Sequence, residues 1–403
     1  MGIVRFNIRK FTTFYFCSIL SLNLIFDFLY YIESLSSVSG ILRLVVNASF
    51  VFLFFFFYFN HLFGEFKLLA FLLIYWLVLC LFASDIIFSL SEFFKIFLYM
   101  MFLPISFFLI KDFKDFQLFI KSCFLVLVLH VILISIANLY NLGEDTIKGN
   151  DLGFINLALA DSRLFIMAYL VGLMPFFIRF KVLKSNIFWF AIGLLNALSL
   201  ILSIKRTTIV ISSFLFLFGQ LFSKNKKNLV YLIIVLSFVS IPLYPYIEPI
   251  FMERLESRKY FVSGEYDIEE EGRVLELGLV VDTFLENDSY LNYLFGIEPF
   301  NSINNYGFLK DRPIHNDFVY VLFSSGIVGL FLYVYMLVDI YKKFLKKFNK
   351  YNSLALVDYK RVFQSIFLMV ILVSFIGNMW AITYKIFVFS VFGAFIGCNR
   401  KLV

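Results

Sequence analysis

Long apolar stretches recur along the whole 403-residue chain and leave few folds open to it. A helix crosses the hydrocarbon core of a bilayer with about 20 apolar residues, at about 1.5 Å rise each. Twelve stretches approach or meet that length: 11–32, 41–60, 66–84, 92–110, 117–139, 163–179, 186–203, 207–222, 229–247, 316–341, 362–380 and 383–398. Hydrophobic residues make up 61% of the chain and charged residues 16%, against about 45–50% and about 25% in soluble domains. Such a chain cannot cover its surface with polar groups. A soluble enzyme, a disordered protein and a disulfide scaffold are thereby excluded. The expected class is an all-α polytopic membrane protein with about twelve transmembrane helices.

The 58 Phe residues are read as lipid-facing substitutes for Leu, without mechanistic weight. The four cysteines, Cys17, Cys80, Cys123 and Cys398, lie in apolar stretches without a CxxC pair. That pattern points to neither disulfides nor a zinc site. His61, His130 and His315 are too scattered for a metal centre. No small-residue cleavage site follows the first apolar run, so that run is expected to remain as a helix.

Charge sets the expected orientation. With both termini inside, 22 of the 35 Lys and Arg residues fall on the inner side, most visibly in SKNKKN and KKFLKKFNKYNS. Glu65, Asp112, Asp115 and Asp358 share that side, while the outer loops take most other acids. This is a positive-inside pattern, so the net charge of +7 reports topology and not nucleic acid. Three regions follow: 1–247 as a nine-helix transmembrane region, 248–315 as one large outer loop, and 316–403 as a three-helix region. Within the loop, 272–287 reads as an amphipathic helix with apolar positions Val274, Leu277, Val281, Phe284 and Leu285.

Cations on the outer side break the pattern and are candidates to hold an anion. Lys205 and Arg206 stand between two helices, where snorkelling to headgroups is an equally good account. Arg163 begins a helix beside Asp161, its simplest partner. Arg273 follows an acidic run, and an exposed salt bridge there is worth roughly 0–1 kcal/mol. His315 is more informative, because it lies where the loop re-enters the membrane. A neutral imidazole there can accept or orient a hydroxyl proton.

The residues from His315 onward carry a pattern: His315, Asn316, nine residues, Gly326, two residues, Gly329, then Tyr333. This stretch resembles the signature of the bacterial O-antigen polymerase and O-antigen ligase superfamily, integral-membrane GT-C-type glycosyltransferases. Leu330 departs from it, standing where ligases often have Thr. The motif covers about 20 residues, and the span count and single large periplasmic loop extend the likeness to most of the chain.

The resemblance implies a GT-C-like fold and a metal-independent transferase without a cofactor. Its substrates would be undecaprenyl-diphosphate-linked oligosaccharides, met at the periplasmic face of the bacterial inner membrane. It implies catalytic roles for His315, Arg273 and Arg206. It implies substrate-binding roles for Arg163, Lys205, Arg312 and Asn316. Membrane lipid, a chain-length regulator and a flippase of the same pathway are the implied partners, with no nucleic acid. The missing Thr favours a repeat-unit polymerase over a ligase. The reading of another class is a lipid-linked oligosaccharide transporter. Against it, a transporter concentrates charges and broken helices at mid-membrane. Here mid-span charges read as few: Asp27, and the i, i+3 pair Glu92 and Lys95.

Overall fold

The computed structural model describes residues 8–30, 32–140, 161–179, 183, 187–202, 206–221, 244–245, 248–249, 272–286, 289–302, 314–348, 354–376 and 381–398. Among these there is no strand. The helices are α1 (Ile8–Leu29), α2 (Ser36–Glu65), α3 (Lys67–Cys80), α4 (Ile86–Leu109), α5 (Phe113–Leu139), α6 (Asp161–Arg179) and α7 (Ile187–Leu202). They continue with α8 (Arg206–Leu221), α9 (Gly272–Leu285), α10 (Tyr290–Phe295), α11 (Asp317–Phe348), α12 (Leu354–Ile376) and α13 (Ile382–Gly397). Eleven of the twelve apolar stretches coincide with helices, and 229–247 lies outside the described residues but for 244–245. Five helices are long and apolar enough to cross a membrane, and five more are apolar but shorter. The chain is an all-helical membrane protein.

Three helix starts are set by side-chain caps. Asp85 accepts from the Phe88 N–H at 2.9 Å, Asp112 from that of Asp115 at 2.9 Å, and Asn316 from those of Phe318 and Val319 at 3.0 and 3.2 Å. The cap at Asp85 starts α4 six residues before the predicted stretch, which puts Glu92 and Lys95 well inside the helix. His61 falls within α2.

Phe does more than face lipid, which corrects the expectation. Phe16 stacks on Phe119 at 5.1 Å, on Phe50 at 6.0 Å and on Phe102 at 6.5 Å, joining α1, α2, α4 and α5 in one buried aromatic cluster. With no hydrophobic drive between helices in lipid, such ring packing and close backbone approach hold the bundle. The closest approach is that of α13 to α4, where a Cβ on Gly393 would meet the Ser106 Oγ at 1.9 Å.

The largest correction concerns the predicted span 316–341. At Gly326 the backbone has φ 64° and ψ −169°, and α11 is there two segments. A straight helix would separate Phe318 and Tyr333 by roughly 22 Å along its axis, yet their rings lie 6.0 Å apart. The first segment, Asp317–Ser325, therefore folds back beside the second. At about 14 Å it is too short to cross a bilayer, whereas Ile327–Phe348 is long enough.

Three contacts build the fold-back. α10 is driven into the break, so that a Cβ on Gly326 would stand 2.3 Å from the Leu294 carbonyl. Gly296, at φ 95°, lets the next amide, that of Ile297, donate to the Phe323 carbonyl at 2.8 Å. The Tyr75 hydroxyl donates to the Ser325 carbonyl at 2.9 Å. A break in a membrane helix persists only where its freed backbone groups find such partners. The outcome is that His315 and Asp317 start a short helix lodged inside the bundle.

Gly326→Ala should be among the most damaging small substitutions in the chain. The left-handed backbone alone costs about 1–3 kcal/mol, before the clash with α10. Gly40→Ala, with nothing within 4 Å of the added carbon, should be neutral or slightly stabilising. Thermal melting of both purified variants in detergent checks the contrast. Equal melting temperatures would contradict it.

Candidate functional site

Glu276 and His315 define the centre of the candidate site. Glu276 is on α9, is buried, and reaches the start of α11 with both carboxylate oxygens. Its Oε1 lies 2.7 Å from the His315 Nδ1, and its Oε2 accepts from the His315 backbone N–H at 3.1 Å. A carboxylate only accepts, so Nδ1 carries the proton of the first bond. In the neutral ring Nε2 then holds the lone pair. The ring itself is partly exposed, at 38%, while the carboxylate behind it is 3% exposed. One side chain thus fixes the imidazole's tautomer, its tilt and its backbone, and joins the long loop to the membrane bundle.

Behind His315 sits a buried ion pair. The Lys385 Nζ, in the first turn of α13, bonds the Asp317 Oδ2 at the start of α11. Their side chains are 3% and 0% exposed. Two residues earlier on α13, the Thr383 hydroxyl donates to the Asp27 Oδ2 at 3.3 Å, and the other Asp27 oxygen pairs with Arg43 at 2.6 Å. Tyr384, between them, meets the Tyr169 hydroxyl of α6 at 3.1 Å. Three consecutive residues at the start of α13 therefore reach α1, α6 and α11, and Asp27 reaches α2 through Arg43. Aromatic rings close this polar group on the inner side, with Tyr99 stacked on Phe389 at 5.7 Å. Lys385 and Asp317 add a buried pair at two helix starts to the charges the sequence named, Asp27 and the Glu92–Lys95 pair.

The other predicted residues fall as follows. Arg273 is the second residue of α9, one turn before Glu276, so it lies on the helix that holds His315. Arg206 is the first residue of α8 and Arg163 the third of α6. α7 runs back along α6, with Gly193 against Met174, and returns the chain to the end where α6 begins. α6 and α8 therefore start at the same end, the end where Phe165 and Tyr169 pack on Tyr384. Lys205 and Arg312 lie outside the described residues. Asn316 caps α11 with its Oδ1, which accepts from the Phe318 and Val319 N–H groups.

His130 is buried, with its Nδ1 2.7 Å from the Asn196 Oδ1, and ties α5 to α7 away from the site. Two residues of the site, Glu276 and Lys385, escaped the sequence reading. Each had a signal, as an isolated charge in an otherwise apolar run: VLELGLVV and AITYKIFVF.

No protein-family model matches the chain, and no curated protein matches it. What the site can do must be read from its own chemistry. It offers a partly exposed imidazole with a fixed acceptor nitrogen, backed by a buried charge layer.

Removing one partner of a buried pair strands the other charge and costs about 3–5 kcal/mol, whereas removing both is far milder. Lys385→Met should therefore lower the melting temperature strongly. Lys385→Met with Asp317→Asn should recover much of it. A double variant no better than the single would show that the two charges do not depend on each other.

Proposed function

We propose that this protein is a membrane glycosyltransferase of about twelve spans. It would polymerise lipid-linked repeat units of an O-antigen or capsular polysaccharide at the periplasmic face of a bacterial inner membrane. The observation that carries the reading is the pairing of His315 with Glu276. It joins the residue that begins the signature stretch to the loop helix that begins with Arg273.

The chemistry is transfer of a glycan from undecaprenyl diphosphate to a sugar hydroxyl. The C1–O bond to the diphosphate breaks as a new C1–O bond to the acceptor forms. His315 Nε2 takes the hydroxyl proton, and Glu276 stabilises the imidazolium that results. Such a base contributes about 10²–10⁴-fold. The leaving diphosphate gains charge and needs fixed cations. Arg supplies them with a planar fork that keeps its proton.

The placement of the three arginines supports that role. A cation in the first turn of a helix opposes the helix dipole by about 0.3–1 kcal/mol. Arg163, Arg206 and Arg273 all stand in first turns. An anion bound there would reverse the sign of that term and collect the amide dipoles as well.

A second reading has a specific observation in its favour. The broken helix α11 and the buried Lys385–Asp317 pair are features of ion-coupled transporters, and a flippase for lipid-linked oligosaccharide would use them. Surface-polysaccharide gels from a complemented deletion strain separate the readings. Under the polymerase reading, His315→Ala and Arg273→Ala abolish chain extension and leave core capped with a single repeat. Arg273→Lys should also be poor, because a point charge does not replace the fork, and Glu276→Gln should weaken extension while protein levels hold. Bare core with accumulated lipid-linked polymer would indicate a ligase. Bare core without that polymer would indicate the transporter. Normal ladders in both Ala variants would remove the enzyme assignment.

A further inference from the structure

The loop helix α9 does not bury every apolar position that its sequence offers. Of the apolar positions Val274, Leu277, Val281, Phe284 and Leu285, Phe284 is buried, in line with Glu276 and Val280 at a spacing of four. Leu277, Val281 and Leu285 are uncovered, Leu285 at 70%. At about 100° per residue, these uncovered positions lie a quarter-turn from the buried face. A further quarter-turn brings Gly278, Asp282 and Glu286, all exposed. α9 thus has one face on protein, one apolar face uncovered and one polar face.

The uncovered apolar face continues beyond α9. Phe284 packs on Tyr293 at 6.0 Å, which sets α10 beside α9. α10 exposes Tyr290, Leu291, Leu294 and Phe295, with Tyr290 at 85%. The backbone of Leu294 and Phe295 rests on Gly326. Directly after that glycine begins the uncovered stripe of α11: Ile327, Phe331, Val334, Tyr335 and Val338, all on one face of a helix long enough to span. In a spanning helix such a stripe faces lipid. Uncovered apolar residues are thus carried by α11, by α10 against its break and by α9 beside α10.

We propose that α9 and α10 form an interfacial element whose uncovered stripe lies in the bilayer leaflet at the His315 end. Bilayer lipid covers Leu277, Val281, Leu285, Tyr290 and Leu291, while Asp282 and Glu286 face water. An amphipathic helix so placed sinks its apolar face about 5–10 Å into the headgroup region, and tyrosines are favoured at that depth. The docked face carries Glu276, so the leaflet holds in place the helix that holds His315. The inference rests on the membrane reading of the chain and not on glycosyl transfer.

Site-directed spin labelling tests it. All four native cysteines are buried, so Val281→Cys, Leu285→Cys, Leu291→Cys and Asp282→Cys can each be labelled selectively. The protein is placed in vesicles of phosphatidylethanolamine and phosphatidylglycerol. Collision with oxygen, which partitions into lipid, is compared with collision with a nickel chelate, which stays in water. Oxygen should dominate at 281, 285 and 291, and the nickel chelate at 282. Nickel dominance at all four positions would overturn the proposal. So would spin–spin broadening at the stripe positions, which would mean that a second copy of the chain covers them. Neither result depends on the polysaccharide gel, so failure of the proposed activity leaves this test intact.

Discussion

Nothing inside a bilayer can solvate a charge, and that constraint organises this bundle. Asp317 and Lys385 are both buried in a helical core made largely of aromatic rings. Each is tolerable there because the other is present. Their pairing fixes the start of α11 against the start of α13 and so decides where His315, two residues earlier, emerges. Asp27, Arg43 and Thr383 extend the same logic to α1 and α2. The polar layer is a cost to stability that a purely structural bundle would have no reason to bear. Its position directly behind a partly exposed imidazole supplies the reason.

Above that layer, geometry passes from the backbone to the side chain through glycine. A helix that ran straight from His315 to Phe348 would hold His315 about 16 Å from Gly326 along its axis. The break at Gly326 folds the first segment inward, and α10 fills the notch. The spacing from His315 to Gly326 is then a length: the short helix that lowers the histidine into the bundle. Gly329 lies one turn further, against Ser325 and Tyr75, where a larger side chain would push the two segments apart.

How far the sequence disclosed this differs by level. Helix positions were legible, because apolar runs of sufficient length have one outcome in lipid, while starts set by caps such as Asp85 were not. The fold-back at Gly326 was not. A glycine in an apolar run reads the same whether the helix passes through it or breaks there, and only the distant Leu294, Gly296 and Tyr75 decide. The docked face of α9 was not legible for a related reason. Periodicity finds an apolar stripe and does not say what covers it. Here a single carboxylate, Glu276, reaching two donors of His315, outweighs that stripe and turns it away from the bundle. His315 and Arg273 were found through the motif, while Glu276 and Lys385 were hidden as lone charges in runs read only for their hydrophobicity.

The same features bear on the choice between transfer and transport. A transporter's broken helix and buried charges must occupy two arrangements, so the groups freed by the break are usually those that meet the cargo. Here the freed backbone groups are already bound by fixed protein groups, Ser325 by Tyr75 and Phe323 by Ile297. The notch itself is filled by α10 at distances that leave no room for a shift. A break bound on both sides suits a fixed support better than a gate. Rigidity is what a transferase needs. The proposed reaction would need one nitrogen kept aimed at a hydroxyl beside a diphosphate, and Glu276 holds the His315 ring by one bond and its backbone N–H by another. The locked geometry thus weighs toward the enzyme, although the charges alone would have suited either.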